Sequence, residues 1–120
     1  RRDWGFAGDY VKAMWMILQH DKADDFVIST GENRSIKDFL KTVFSLLDLD
    51  WNKFVEANTA RYMRKTEVES LQGDSSKAKK ILGWVPDHSF SDLCKMMLVS
   101  DLKKFNIPFE QAKDIASKLK

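Results

Sequence analysis

Apolar residues recur at helical spacing near the start of the chain. They stand at positions i, i+3, i+4 and i+7 and so share one helical face: Val11, Met14, Trp15 and Leu18. Asp9 comes just before them and suits the N-cap position, because its carboxylate can accept hydrogen bonds from the free amides of a first helical turn. This pattern predicts a helix that begins after Asp9 and ends around residues 20–22.

A short run rich in β-branched residues follows this helix. Residues 26–30 (FVIST), closed by Gly31, predict a strand, and their near-continuous apolarity predicts burial on both faces. A doubtful companion strand is predicted at residues 51–58 (WNKFVEAN), where polar and apolar positions alternate loosely. Because the backbone amides and carbonyls of a buried strand need partners, we expect residues 26–30 to belong to a sheet that this chain does not complete.

Helix start and stop signals mark two more segments. Ser35 and Asp38 form a weak capping box ahead of a second amphipathic helix. Asp74 is the predicted N-cap of a short helix over residues 75–82, which Gly83 should end at the C′ position. The polar stretch at 59–73 has no clean period and is predicted to be an extended loop.

The last third of the chain predicts one long helix and a tail. Ser89 and Asp92 form another Ser-x-x-Asp start, and Pro108 should end the helix that follows. The apolar positions of this helix are predicted to be buried: Phe90, Leu93, Cys94, Met97, Leu98 and Leu102. We therefore divide the chain into residues 1–106 and a loosely attached, helical tail at 107–120, in a mixed α/β fold dominated by helices.

Composition and charge narrow the class of partner. At 120 residues, 43% hydrophobic and 32% charged, the sequence predicts one globular domain. Twenty basic residues against 18 acidic ones give a net charge of +2, which offers no reason to expect nucleic acid or an anionic membrane as a partner. No apolar stretch has the length of a membrane span. The single Cys94 cannot form an internal disulfide, which favours a reducing, cytoplasmic compartment.

The sequence contains no recognisable catalytic or metal-binding motif. The two histidines, His20 and His88, are distant from each other and from Cys94, so no metal site is predicted. Cys94 stands on an apolar stripe and is predicted to be a core residue, whereas both histidines are predicted to be solvated. Four tryptophans are expected in the core: Trp4, Trp15, Trp51 and Trp84.

Two arginine-centred groups are the candidates for ligand binding. The first is residues 1–4 (RRDW), and the second is residues 61–67 (RYMRKTE). Arginine presents a planar fork of donors that suits two phosphate oxygens, and a glutamate can accept hydrogen bonds from paired sugar hydroxyls. A cleft with Arg2, Arg64 and Glu67 would hold a nucleoside diphosphate. Spacing alone favours the alternative that these residues are ordinary solvated surface.

Four segments carry a more specific resemblance. They read RRDWGFAGDYVKAMWMILQ, FVISTGENRSIKDF, RYMRKTEVESLQGDSSKAKKILGWVP and F-x-x-L-x-K-M-M. In this order they resemble the C-terminal third of the GDP-mannose 4,6-dehydratase family, within the extended short-chain dehydrogenase/reductases. The resemblance runs from residue 1 to about residue 102. The Arg-Asp-Trp-Gly-x-Ala-x-Asp-Tyr-Val block and the downstream Leu-Gln-Gly-Asp point to the GDP-mannose branch.

The resemblance implies roles for three residues. Arg2 matches the family arginine that contacts the diphosphate region of the substrate. Arg64 and Glu67 match the arginine and glutamate of an Arg-Pro-x-Glu-Val block, which hold the diphosphate and the guanosine ribose. Lys65 stands where the family usually has proline, a departure that loosens this loop and adds a charge.

The family reaction removes water from GDP-mannose by internal redox on a bound NADP. Its product is GDP-4-dehydro-6-deoxy-mannose, a precursor of GDP-fucose. The resemblance implies that the catalytic residues and the cofactor loop lie in an N-terminal Rossmann portion, whose sheet edge residues 26–30 would join. No catalytic residue and no NADP site are expected in this chain, and a homo-oligomer of the full-length enzyme stays open.

Two hypotheses follow for the chain itself. In the first, the chain is a fragment of a lyase. It contributes residues that bind GDP-mannose and is inactive without the Rossmann portion. In the second, it stands alone as a non-catalytic domain that binds a GDP-sugar or a protein partner. A gene that continues upstream into a glycine-rich strand-turn-helix and a Tyr-x-x-x-Lys would favour the first.

Overall fold

Helices dominate the computed structural model, which describes residues 1–56 and 68–119. The helices of these residues are α1 (Ala7–Leu18), α2 (Ile36–Ser45), α3 (Ser76–Leu82), α4 (Phe90–Lys104) and α5 (Phe109–Ser117), with a 3-10 turn at Trp51–Lys53. The strands are β1 (Arg2–Asp3) and β2 (Asn33–Arg34), which pair antiparallel. The predicted helix-dominated class is confirmed for the part of the chain that is described. None of its helices combines the length and the apolarity needed to cross a bilayer.

The chain divides into two compact units. The first unit combines Arg1–Ser35 with Ser70–Leu93, and the second combines Ile36–Glu69 with Cys94–Lys120. The first unit contains both strands, α1 and α3, and therefore holds the N-terminal arginine group.

The core of the first unit is small and centres on Trp84. Trp84, Ala13 and Ala78 are fully buried or nearly so, with at most 1% of their surface exposed. Partly buried side chains pack against them: Tyr10, Met16, Phe26, Ile28 and Leu82. The indole Nε1 of Trp84 donates to the carbonyl oxygen of Asp9 at 2.9 Å, so the buried ring has its polar atom satisfied. The prediction that Trp84 is a core residue is confirmed.

Helix α1 begins earlier than the sequence predicts. It starts at Ala7 with Phe6 as the N-cap residue, and it ends at Leu18. Asp9 lies inside the first turn, where only 3% of its surface is exposed. The N-cap prediction for Asp9 was therefore wrong, because its carboxylate binds a distant partner, His88, and not the amides of its own helix.

The apolar face predicted for α1 faces solvent in this chain. The exposed fractions are 62% for Val11, 61% for Met14, 63% for Trp15 and 81% for Leu18, whereas Ala13 is fully buried. At about 100° per residue, the exposed set is centred roughly opposite to Ala13 on the helix. The expectation that Trp15 is a core residue was wrong for this chain.

Residues 26–30 are extended but do not form the predicted strand. Within the described ranges, no backbone hydrogen bond joins residues 26–29 to another part of the chain. Val27 is 56% exposed, whereas Phe26 and Ile28 pack against the core and Ser29 is 4% exposed, so the segment is exposed at Val27 and at least partly buried at its other residues. A strand requires a neighbour in register, and the described residues place none beside this segment.

The start of α4 and both ends of α3 follow the sequence closely. Gly83 ends α3 in the left-handed region with φ of 68°, which a glycine adopts without strain. At the other end, the Asp74 carboxylate accepts from the amide of Ser76 at 2.9 Å. At the start of α4, Ser89 Oγ accepts from the amide of Asp92, whose carboxylate accepts from the amide of Ser89 at 2.9 Å. The start signal of α4 and the stop signal of α3 are confirmed, whereas the N-cap prediction for Asp74 was one residue early, because Ser75 is the N-cap residue of α3.

Helix α4 buries one residue completely, Cys94. Burial raises the pKa of the Cys94 thiol above its ordinary value, in keeping with the predicted core role. Met97, predicted to be buried, is 41% exposed.

The second unit replaces the doubtful strand with a helical turn. Residues 51–53 form a 3-10 turn capped by Asp50, whose carboxylate accepts from the amide of Asn52 at 3.0 Å. The rings of Phe44 and Phe54 stack with their centroids 5.8 Å apart. Residues 57–58 of the predicted strand, and 59–67 of the predicted loop, lie outside the described residues; residues 68–73 form neither helix nor strand.

Helix α5 lies within the tail predicted for residues 107–120. It begins at Phe109, directly after Pro108. Ala112 and Ala116 are 5% and 2% exposed, and the Lys113 ammonium lies 4.8 Å from the centroid of the Phe109 ring. The tail is therefore packed rather than loosely attached.

Candidate functional site

The first residue of the chain is tied to two later segments. The Arg1 guanidinium donates to Asn33 twice, to Oδ1 at 2.7 Å and to the carbonyl at 2.8 Å. The Asn33 amide donates in turn to Ser70 Oγ at 2.7 Å and to the Leu71 carbonyl at 3.1 Å. Leu71 completes the set, because its own amide donates to the Arg1 carbonyl at 3.2 Å. These bonds hold the N-terminus in one place, where chain ends ordinarily fray.

Asp3 makes a second connection beside the first. Its Oδ1 accepts from the amide of Thr30 at 2.8 Å and from the hydroxyl of Thr30 at 2.6 Å. Its Oδ2 accepts from the amides of Gly31 at 2.9 Å and Gly73 at 3.4 Å. Gly31 has a φ of 77°, a left-handed conformation that glycine adopts without strain. Hydrogen bonds to an ionised acceptor are roughly twice as strong as neutral ones. The Asp3 carboxylate therefore holds three segments of the chain firmly together.

Arg2 lies between these two connections, on the wall of a cavity of about 390 Å³. Its guanidinium donates to the Arg1 carbonyl at 2.7 Å, and its side chain is partly exposed. The cavity is lined within the first unit by Arg2, Asp3, Tyr10, Val27, Ile28, Ser29, Leu71, Gln72 and Gly73. A guanidinium on a cavity wall is suited to bind a phosphate or carboxylate group.

Tyr10 lines the same cavity and stays protonated over a wide pH range. Burial raises the pKa of its phenol, and the negative charges of Asp3 and Asp9 raise it further. At neutral pH the phenol is therefore a neutral donor and acceptor of hydrogen bonds.

Ser29 lies against Gly73 at the edge of this cavity. A Cβ built on Gly73 would lie 2.5 Å from the Ser29 Cβ and 2.6 Å from its Oγ, so only glycine fits at residue 73. The Ser29 Oγ is buried and, among the described residues, is the buried side-chain atom without a hydrogen-bond partner.

The first unit also contains a polar pair, His88 and Asp9, that no sequence pattern predicts. His88 Nδ1 lies 2.9 Å from Asp9 Oδ1, and the His88 amide donates to Asp9 Oδ2 at 3.1 Å. The Phe6 ring packs on the imidazole at a centroid distance of 4.7 Å. His88 also lines a smaller cavity of about 290 Å³ with Trp4 and other residues of the first unit. His88 is partly solvated, with 36% of its side chain exposed, but its contact with Asp9 was not predicted, because no local pattern signals it.

Comparison with known proteins decides the family. The family model described as GDP-mannose 4,6 dehydratase matches residues 1–97. The chain belongs to this family. It is 52% identical over 102 residues to GDP-mannose 4,6 dehydratase 2 of Arabidopsis thaliana. This alignment covers 85% of the chain and 27% of that relative. Identity is 39% over 119 residues to the Homo sapiens GDP-mannose 4,6 dehydratase, covering 86% and 32% respectively. For Yersinia enterocolitica the identity is 36% over 129 residues, covering 86% and 35%.

The chain thus spans about a third of the length of the GDP-mannose 4,6 dehydratases it matches. Of the three binding residues predicted from the family resemblance, Arg2 lies in the described part, on the cavity wall. Arg64 and Glu67, together with Lys65, lie outside the described residues. Asp3, Asn33 and His88 are the residues that sequence reasoning missed, since their partners lie 27 or more residues away.

Proposed function

We propose that this chain is the GDP-mannose-binding part of a GDP-mannose 4,6-dehydratase, a lyase that converts GDP-mannose to GDP-4-dehydro-6-deoxy-mannose on the way to GDP-fucose. The observation that carries the proposal is 52% identity over 85% of the chain to a protein of that name. The position of Arg2 on a cavity wall, beside a backbone held by Asp3 and Asn33, is consistent with it.

Three side chains share the binding of the nucleotide in this proposal. The Arg2 fork binds oxygens of the diphosphate, a role that a partly exposed guanidinium can perform with two parallel hydrogen bonds. Arg64 binds the diphosphate as well, and the Glu67 carboxylate accepts hydrogen bonds from the ribose hydroxyls of guanosine. These roles come from the matching motif positions.

The proposed reaction uses NADP, and the two glycines nearest to the N-terminal arginines do not suit a cofactor phosphate. Glycines that cradle a cofactor phosphate must leave open space above the backbone. The two N-terminal glycines are covered instead, Gly5 by the Tyr10 hydroxyl and Gly8 by the Phe6 ring. On the family resemblance, we assign NADP and the catalytic residues to the remaining two thirds of the full-length enzyme, a Rossmann portion.

Two exposed features would complete the contact with that portion. The extended 26–29 backbone, which makes no ladder bond within the described residues, would join the edge of its sheet. The exposed α1 face with Trp15 and Leu18 would pack against it. A full-length enzyme of this kind would work in the cytoplasm, where the single free cysteine, Cys94, stays reduced.

Titration of the 120-residue chain with GDP-mannose, followed by amide NMR, tests the proposal. We expect dispersed peaks that shift at Arg2, Arg64 and Glu67, and the same shifts with GDP but not with mannose. Arg64→Ala should weaken binding by about 1.5–3 kcal/mol, the range for hydrogen bonds to charged groups, whereas Arg61→Ala should not. Lys12→Ala, which removes a cation that does not line this cavity, is the control for Arg2→Ala. A folded chain whose peaks ignore GDP-mannose would contradict the proposal.

The α1 face also supports a second candidate, a non-catalytic domain that binds a GDP-sugar or a protein partner. Four large apolar side chains exposed along one helix form the kind of patch that mediates protein contact. Turnover separates the two candidates. The chain alone should form no product from GDP-mannose and NADP, and activity should return when the Rossmann portion of the same enzyme is added. Addition without recovery would favour the second candidate.

A further inference from the structure

The backbone at Arg2 is held by little regular structure. Strand β1 has two residues, Arg2 and Asp3, which pair with Arg34 and Asn33 of β2. A ladder of two residues is marginal in water by itself. Something besides the ladder must therefore fix the position of Arg2.

The Arg1 contacts with Asn33 and Leu71 restrain the residue before Arg2, and the Asp3 carboxylate restrains the residue after it. It accepts from four donors in two separate segments: the amide and hydroxyl of Thr30, the amide of Gly31 and the amide of Gly73. The shortest of these bonds, 2.6 Å from the Thr30 hydroxyl, is in the range of charge-assisted bonds. The adjacent peptide group carries Arg2, so its backbone cannot swing without breaking this cluster.

We propose that Asp3 is a positioning residue for Arg2, which sets the direction from which the guanidinium meets the phosphates of the ligand. The proposal rests on the proposed function, since that names the ligand. A guanidinium that makes two hydrogen bonds to phosphate oxygens must approach them at a defined angle. Backbone motion at Arg2 should therefore weaken ligand binding more than the same motion would beside a lysine, whose ammonium acts as a point charge. Asp3 itself makes no contact with the ligand in this scheme.

Asp3→Asn is the first variant, because the amide nitrogen replaces one acceptor oxygen while the side-chain shape is kept. It should weaken GDP-mannose binding to the 120-residue chain by about tenfold, as expected for a lost charge-assisted restraint. The deciding comparison is with Arg2→Ala. If Asp3 acts through Arg2, then Asp3→Asn in the Arg2→Ala background should change the dissociation constant by less than about twofold. An equal loss in both backgrounds would overturn the positioning role.

Thr30 provides a milder pair of variants. Thr30→Val removes the 2.6 Å donor to Asp3 and keeps the shape, so it should weaken binding, whereas Thr30→Ser keeps the hydroxyl and should restore it. Equal binding by the valine and serine variants would count against the proposal. So would global unfolding of both Asp3→Asn and Thr30→Val, since the carboxylate would then be needed by the whole fold.

A readout without ligand separates this inference from the proposed function. In ¹⁵N relaxation, the Arg2 amide should be ordered in the unsubstituted chain and fall below an order parameter of about 0.6 in Asp3→Asn, while the α1 amides stay rigid. If GDP-mannose does not bind, the proposed function fails and this measurement alone judges Asp3. An Arg2 amide that is equally ordered in both chains would show that Asp3 does not position it.

Discussion

The imidazole of His88 and the carboxylate of Asp9 form a hydrogen-bonded pair across 79 residues of sequence, with Nδ1 and Oδ1 2.9 Å apart. The carboxylate side chain is 4% exposed and the imidazole 36% exposed, so the pair joins a buried group to a partly solvated one. It connects the first turn of α1 to the segment that precedes α4.

His88→Ala should lower the free energy of unfolding by about 1–3 kcal/mol, because it leaves the buried Asp9 carboxylate with one partner fewer. The double variant Asp9→Asn/His88→Ala should cost less than the sum of the single variants, because the two side chains share one interaction. Urea unfolding at constant pH measures both. His20→Ala, the control, should stay within about 0.5 kcal/mol. Strict additivity would show that the pair contributes no coupling.

Ser29→Ala should raise the free energy of unfolding by about 1 kcal/mol. The Ser29 hydroxyl is buried without a partner among the described residues, and a buried polar group in that state costs stability. Ser70→Ala is the matched control with the opposite sign, since it removes the acceptor of the 2.7 Å bond from Asn33 and should cost about 0.5–1 kcal/mol. Urea unfolding of both variants measures these two changes. A lower unfolding free energy for Ser29→Ala would show that the Ser29 hydroxyl makes a hydrogen bond in the folded chain.

Substitutions on the two faces of α1 should have different effects on the unfolding free energy of the 120-residue chain. Ala13→Leu should cost about 1–3 kcal/mol, because the fully buried Ala13 leaves no room for a larger side chain. Trp15→Gln and Leu18→Gln should change the unfolding free energy by less than about 0.5 kcal/mol, because both residues are exposed.

Sedimentation provides a second readout for the same helix. The glutamine variants should reduce any self-association of the chain, since they break up an exposed apolar patch. A large loss of stability in Trp15→Gln would instead place the indole in the core.

The chain should lose stability as the pH rises past about 9, the ordinary range of the thiol and phenol. Burial raises the pKa of Cys94 and of Tyr10 in the folded state. Above the unfolded-state pKa the unfolded chain has released these protons and the folded chain still holds them. The unfolding free energy therefore falls as the pH rises. The stability that these two protons contribute is fully present only below the pKa values of the two groups in the unfolded chain.

Urea unfolding at pH 8 and pH 10 measures this slope. Cys94→Ala and Tyr10→Phe should each make the slope shallower, because each removes one ionisable group. The effect would be contradicted if stability stayed flat between the two pH values in the unsubstituted chain, or if neither variant altered the slope.

Signals within a few residues were enough for the ends of several helices. Gly83 ends α3, and Ser89 with Asp92 begins α4, because a left-handed glycine and a capping box act on the backbone directly around them. The motif that contains Arg2 is equally local, and it predicted the family that the comparison then established.

Only the tertiary structure decided which surfaces are buried and which polar groups meet. The periodicity of α1 could not show that Ala13 faces the core and Trp15 faces solvent, since each helical face was apolar. The composition of residues 26–30 predicted a strand, but a strand exists only beside a partner that the described chain does not provide.

The contacts of Asp3 with Thr30 and of Asp9 with His88 likewise depend on segments 27 and 79 residues apart. By itself the sequence determined the local turns and the family. The long-range partners were set by folding, because hydrogen bonds and burial depend on where distant segments meet.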